Sequence, residues 1–238
     1  MSAMLRWGAG AVDVVDGTTI HRWQASRLWP ARPSPGRRLL WRRLRISLAL
    51  TGRLTRLKER LAHRHPITTD DAELIWAAVA VVIVPDPDAI LLIRRADRLG
   101  DPWSGHMALP RGRREPEDPD LLATVIRETR EEVGIELITE QLCGSLDDVA
   151  PRTPVLPPVA VRPFVFLMPA RTPLVLNPEV ASAQWVTIDD LLQPGGYHQA
   201  SLEIAGQRRE VQAYRLDDAI VWGMTERILS GLFQLLRD

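Results

Sequence analysis

Between Arg127 and Glu132 the sequence reads RETREE, so three carboxylates and two guanidiniums share six consecutive positions. Glu128 and Glu132 are four apart and stack one turn above the other if the segment is helical, with Glu131 adjoining both. Like charges at that spacing repel by roughly 0.2–0.5 kcal/mol per pair, a cost that a divalent cation removes. Hard cations such as Mg²⁺ or Mn²⁺ take oxygen ligands, and a few carboxylates leave positions open for water and phosphate oxygens. Arg127 lies one turn before Glu131 and is placed to hold that carboxylate by an ion pair. Taken alone, the hexapeptide also reads as a solvated helix face. What argues for a site is its setting: a strand, a glycine-bearing loop, a capped helix, then these acids.

The helix that must carry the acids is predicted over 119–133. Asp118 is read as its N-cap and Pro119 as its first turn, since the Asp oxygen accepts an orphan amide and Pro has none to lose. Leu122, Val125, Ile126, Thr129 and Val133 recur on one face, and Gly134 offers a left-handed exit. Upstream, Leu74 to Val84 and Ala89 to Arg94 flank Pro-Asp-Pro-Asp, as two strands joined by a tight turn would, and "HMALP" reads as a further short strand. Downstream, "VAVRPFVFLM", "SAQWVTI" and the pair "ASLEI" and "EVQAYRL" read as strands. Leu54, Leu57 and Leu61 predict a short helix opening the domain, and Ile220, Met224, Ile228, Leu232 and Leu235 a helix closing it. Mixed order of this kind predicts the α+β class, a mixed β-sheet with helices packed on it.

Composition narrows the partners. Thirty basic and thirty acidic residues give zero net charge over 238 residues, so no global bias toward polyanions exists and no nucleic acid is expected as a partner. Cys143 is the single cysteine, which excludes an intrachain disulfide or a Cys-based zinc cluster and suits a reducing, cytoplasmic setting. It reads as a buried structural thiol. The longest apolar run, Leu74 to Val84, is too short for a membrane span. Residues 1–50 are Arg-rich and broken by prolines in "WPARPSPGRR", and are expected to form a flexible basic extension ahead of a folded domain at 51–238. "RRLLWRRLRISLAL" also fits a basic amphipathic helix on an anionic surface, and an Arg-rich leader fits a transit peptide. Trp76, Trp185 and Trp222 read as core.

The motif resembles the signature of the Nudix hydrolases: Gly, five residues, Glu, seven residues, Arg-Glu, an aliphatic, any residue, Glu-Glu, any residue, Gly, an aliphatic. "RETREEVGI" matches its second half, with Thr129 at the aliphatic place. The interval from Gly112 to Arg127 is one residue longer than the general pattern and Asp118 stands where Glu is expected, as in the coenzyme A pyrophosphatase branch. "LLIRRADRL", "WSGHMALPRG", "NPEVASAQWVTIDDL" and "VWGMTERIL" agree with that branch, and the likeness runs from about Thr51 to Asp238. Arg111 replaces the first glycine of the usual Pro-Gly-Gly, and "DPW" interrupts the coenzyme A recognition segment.

The resemblance implies a mixed sheet sandwiched between helices in three α/β/α layers. It implies a Mg²⁺- or Mn²⁺-dependent diphosphohydrolase with Arg127, Glu128, Glu131 and Glu132 catalytic and the three acids binding metal. Gly112, Arg111, Arg95 and Arg98 are the substrate-binding candidates, with Arg94 beside them; Asp148, Glu179 and Glu203 are candidates for an assisting acid, and His106 lies close by. Coenzyme A or acyl-CoA would give 4′-phosphopantetheine and adenosine 3′,5′-bisphosphate. Hydrolysis of ADP-ribose or of a dinucleotide is the first alternative, and a non-catalytic nucleotide-sensing module the second. A homodimer is possible.

Overall fold

The computed structural model describes residues 50–69, 74–97, 104–150, 158–204 and 207–237, together with the backbone of two short strands at 13–16 and 19–22. The chain divides into two compact units, Met1–Ser47 and Leu48–Asp238. In the first, β1 (Asp13–Asp16) pairs antiparallel with β2 (Thr19–Arg22), regular structure in a stretch where the sequence predicted none.

The second unit opens with α1 (Gly52–His63), capped by the Thr51 hydroxyl and burying the predicted Leu54, Leu57 and Leu61. Its main sheet is organised around β3 (Ile75–Val84). β8 (Val159–Leu167) runs parallel along one side of β3, and β7 (Leu142–Ser145) pairs antiparallel with β8 beyond it. The other side of β3 is shared: β4 (Ala89–Arg95) takes its C-terminal end, and β6 (Arg111–Arg113) its N-terminal half. β9 (Val180–Thr187) takes the outer edge of β4, and β5 (Met107–Ala108) pairs with its C-terminal end on the edge that β3 takes at Ala89 and Ile90.

Alternation along β3 feeds two cores. Ala77, Val79, Val81 and Ile83 join one with α1 and the C-terminal helix, while Ala78, Ala80, Val82 and Val84 join the other with α2 (Leu121–Val133). A strand covered on both faces must be apolar throughout, which explains the uninterrupted run. The class is α+β, with helices on both faces of a mixed sheet. After α3 (Ile188–Leu192), β10 (Tyr197–Ile204), β11 (Gln207–Arg215) and β12 (Ile220–Trp222) form a second antiparallel sheet, and α4 (Gly223–Arg237) closes the chain. Ile220 therefore belongs to a strand, not to the closing helix. Among the described residues no helix is long and apolar enough to cross a membrane.

Two sequence expectations need correction. The site helix starts at Leu121, and its cap is Asp120, whose side chain accepts from the Ala123 amide at 2.7 Å. Asp118 is unavailable as a cap because its carboxylate is held by Arg127. Nor are all three tryptophans core: Trp185 packs against the α2-side core, but Trp76 lies under the Arg162 guanidinium and Trp222 meets His106 edge-on. The exit from α2 is as predicted, with Gly134 at φ 73°.

Removing the cap by Asp120→Ala should lower stability by about 1 kcal/mol. Urea denaturation measures this, and Pro119→Ala, outside the helix, should change much less.

Candidate active site

β6 and α2 build the site between them. β6 sets Gly112 opposite Ala78 on the α2 side of β3, where Ala78 and Ala80 leave room for the helix to approach. A Cβ on Gly112 would overlap the Glu128 carboxyl group, so any side chain here would displace that carboxyl from its place against the strand. One turn further along α2, Glu132 accepts the Arg111 amide at 2.8 Å. The two acids thus lie against consecutive residues of one strand.

Arg127 fixes the remaining orientation. Its Nε and Nη2 bind the two oxygens of Asp118 at 3.1 and 2.8 Å, its Nη1 donates to Glu128 at 2.8 Å and to Glu131 at 3.3 Å, and Nη2 also reaches the Arg113 carbonyl. Asp118 is itself held: Thr124 donates to it from inside the helix, the Glu115 amide donates from the loop, and Arg114 bonds the neighbouring carbonyls of Asp118 and Pro119. Thr124 and Arg114 escaped sequence analysis. The only signal for Thr124 was a hydroxyl on the buried face of the helix.

Burial raises the Glu132 carboxyl to about 7, although the Arg111 amide and the charges of Arg111 and Arg95 pull it down. Burial also lifts Glu128, against the opposing effect of Arg127. Asp118 moves the other way, held far below the usual carboxylate range by its bond to Arg127. The helix therefore carries two carboxylates that resist ionising and faces a third that is strongly ionised.

Gly112, Arg111, Arg127, Glu128 and Glu132 are brought together. Glu131 stands on the more exposed side, turned to Arg127, and among the described residues no three His, Cys, Asp or Glu side chains converge as a ligand set. The donor chemistry nevertheless fits a hard divalent cation: all candidate ligands are carboxylate oxygens, and burial disfavours the charge on two of them, Glu128 and Glu132. Alternation separates the arginines of β4. Arg95 shares the α2 side with Ile93, whereas Arg94 points to the opposite face and pairs with Asp218 at 2.8 Å. Arg98 lies outside the described residues.

Of the three assisting-acid candidates, Asp148 is engaged by both ends of the Arg162 fork and by the Thr69 amide. Glu203 is exposed on β10, in the other sheet. Glu179 immediately precedes β9, and its carbonyl accepts from Ala96, the residue after Arg95. Cys143 is partly buried, and burial pushes its thiol up, away from the reactive thiolate.

The NUDIX domain model matches residues 75–205. An uncharacterized Nudix hydrolase, NudL, of Photorhabdus laumondii is 32% identical over 159 residues, covering 66% of this chain and 83% of that protein. An uncharacterized protein of Schizosaccharomyces pombe is 44% identical over 110 residues, 44% of this chain, and the match spans only 33% of its own length. The crystal structure of a MutT/nudix family protein from Enterococcus faecalis matches with a TM-score of 0.52 over 86% of this chain and 74% of that one, at 16% identity, a likeness of fold.

Asp118→Ala would leave the Arg127 fork without its main acceptor and should cost about 3 kcal/mol at pH 7. Because the folded-state pKa of Asp118 is depressed, the gap to wild type should hold above about pH 4 and close as the pH falls below it. Glu132 gives the opposite sign. Its raised folded-state value favours the native state at low pH, and this contribution is lost as pH rises toward 7. In chelator-treated protein, Glu132→Gln should therefore be more stable than wild type at pH 8, by about 3 kcal/mol, with the gap vanishing near pH 4. Denaturant titration across pH checks both.

Proposed function

The chain belongs to the Nudix family and is a pyrophosphohydrolase, and from that premise we propose that it is a Mg²⁺- or Mn²⁺-dependent enzyme cleaving a nucleoside-diphosphate-linked substrate, foremost coenzyme A or acyl-CoA. The products are then 4′-phosphopantetheine, or its acyl form, and adenosine 3′,5′-bisphosphate. The observation that carries the reading is the pair Glu128 and Glu132, held against Gly112 and Arg111 beside the Asp118–Arg127 pair. Coenzyme A is favoured by the lengthened interval before Arg127, by Asp118, and by the likeness of "WSGHMALPRG" and "VWGMTERIL" to the coenzyme A branch. The catalytic unit is residues 51–238, with residues 1–50 an extension dispensable for turnover.

Glu128, Glu131 and Glu132 are the residues that would hold the cation, which supplies positive charge for the diphosphate oxygens and Lewis acidity for water. Arg127, locked by Asp118, keeps Glu128 and Glu131 directed. One carboxylate of the site takes the proton from the attacking water, and Glu132, which engages the Arg111 amide through Oε2, keeps Oε1 for the cation. Arg95 and Arg111 bring guanidinium charge to the same carboxylate and suit phosphate oxygens as bidentate donors. Water adds to one phosphorus, the bridging P–O bond breaks, and the second phosphate leaves with the bridging oxygen. Glu179, next to the end of β4, is the assisting acid this arrangement favours.

The test is incubation with Mg²⁺ and coenzyme A, acyl-CoA, ADP-ribose, NADH and diadenosine polyphosphates, with products identified by mass spectrometry. Adenosine 3′,5′-bisphosphate should appear from coenzyme A, and Glu132→Gln should lower kcat by about 10²- to 10⁴-fold. Preferential turnover of ADP-ribose or a dinucleotide would move the substrate assignment. No turnover by wild type would overturn the enzymatic reading.

A further inference from the structure

Trp222 is a large ring that neither hydrophobic core contains, and it is only partly buried. Its direction follows from register. Val221 pairs with Tyr214, and both sit in the core under α4, whereas Trp222 pairs with Ala213 and projects from the other face. There it meets the His106 ring, with centroids 4.8 Å apart and planes at 62°.

His106 connects Trp222 to the acids. Ala108 faces the α2-side core and Met107 the opposite one, so His106 shares the α2 side with Ala108. The ladder continues to His106, whose carbonyl accepts the Arg95 amide at 3.1 Å. Arg95 faces that side too, close enough to Glu132 for its charge to act on the carboxylate. Acid, guanidinium and imidazole thus share one side of the main sheet, and the indole of β12 meets the imidazole at its end.

We propose that Trp222, braced by His106, is the platform on which the aromatic base of the substrate stacks, with the diphosphate lying at Arg95 and the Glu128–Glu132 pair. This rests on the nucleoside-diphosphate reading above and names the group recognised at the far end of that site. The order of chemistries along the protein matches the order along such a substrate: charged diphosphate, sugar, flat base. Stacking on indole requires only a π-face, so the platform selects for an aromatic base and not for one base among several.

Two measurements test it on the full chain with Mg²⁺. The first compares coenzyme A with a base-free analogue, a pantetheinyl ribosyl diphosphate. Trp222→Leu should raise KM for coenzyme A by about 5- to 100-fold, from the usual strength of base–aromatic stacking, with kcat little changed. KM for the analogue should stay put, and Trp222→Phe should recover most of the loss; equal shifts on both substrates, or none, would overturn the proposal. The second needs neither turnover nor the Leu variant. In protein carrying 5-fluorotryptophan, the Trp222 resonance, assigned by its absence from Trp222→Phe, should shift with AMP and not with ribose 5-phosphate. An unmoved resonance overturns the platform even if coenzyme A is hydrolysed. A shift in a protein that hydrolyses nothing would keep the platform and sink the catalytic reading.

Discussion

Much of the site depends on where the Arg127 guanidinium is anchored. A guanidinium is a rigid planar fork, and this one turns one edge to both oxygens of buried Asp118 while its remaining nitrogen reaches Glu128 and Glu131. Because Asp118 is itself fixed by Thr124 and by the Glu115 amide, the fork has little freedom to rotate. The loop before the helix, the first turn of the helix and the acids of its last turns are thereby tied to one another. A lysine at 127 could satisfy one of these partners but not the geometry of all.

The same anchoring explains how two carboxylates remain in places that disfavour their charge. Glu128 and Glu132 lose solvation because α2 packs closely on β3 and β6, and that closeness depends on Ala78, Ala80 and Gly112. A side chain at Gly112 would displace the Glu128 carboxyl from this place. Packing and electrostatics are therefore opposed within one helix: its apolar face stabilises the position that its acids find costly. Such a conflict is expected where function, not stability, selects the residues.

How much of this was legible in the sequence depended on the length over which each signal repeats. β3 and β4 were readable as apolar runs about a turn, and α2 through its periodic face and Gly134. β6 and β12 are three residues each, too short for any period, yet β6 supplies the floor of the site and β12 supplies Trp222. Asp118 and Asp120 were locally equivalent as caps, and only the long-range pull of Arg127, nine residues away, decided between them. Arg94 and Arg95 were likewise indistinguishable until pairing with β5 assigned each to a face. The roles of Glu128 and Glu132 were proposed from their spacing, their setting and the family resemblance, and the structure adds their burial and the strand beneath them.

Arg111 illustrates how a departure from a family pattern can be compatible with the site. The group that Glu132 contacts at this position is the backbone amide, which every residue but proline carries. Arg111 is not among the residues with positive φ, and it pairs with Val79 as an ordinary strand residue, so the backbone there makes no demand for glycine. Gly112 differs, since the Glu128 carboxyl group occupies the space a side chain would need. Of two adjacent positions, one is constrained by sterics and the other only by its amide. The second is where a side chain can be introduced without disturbing the acids, and here that side chain carries a positive charge close enough to act on Glu132.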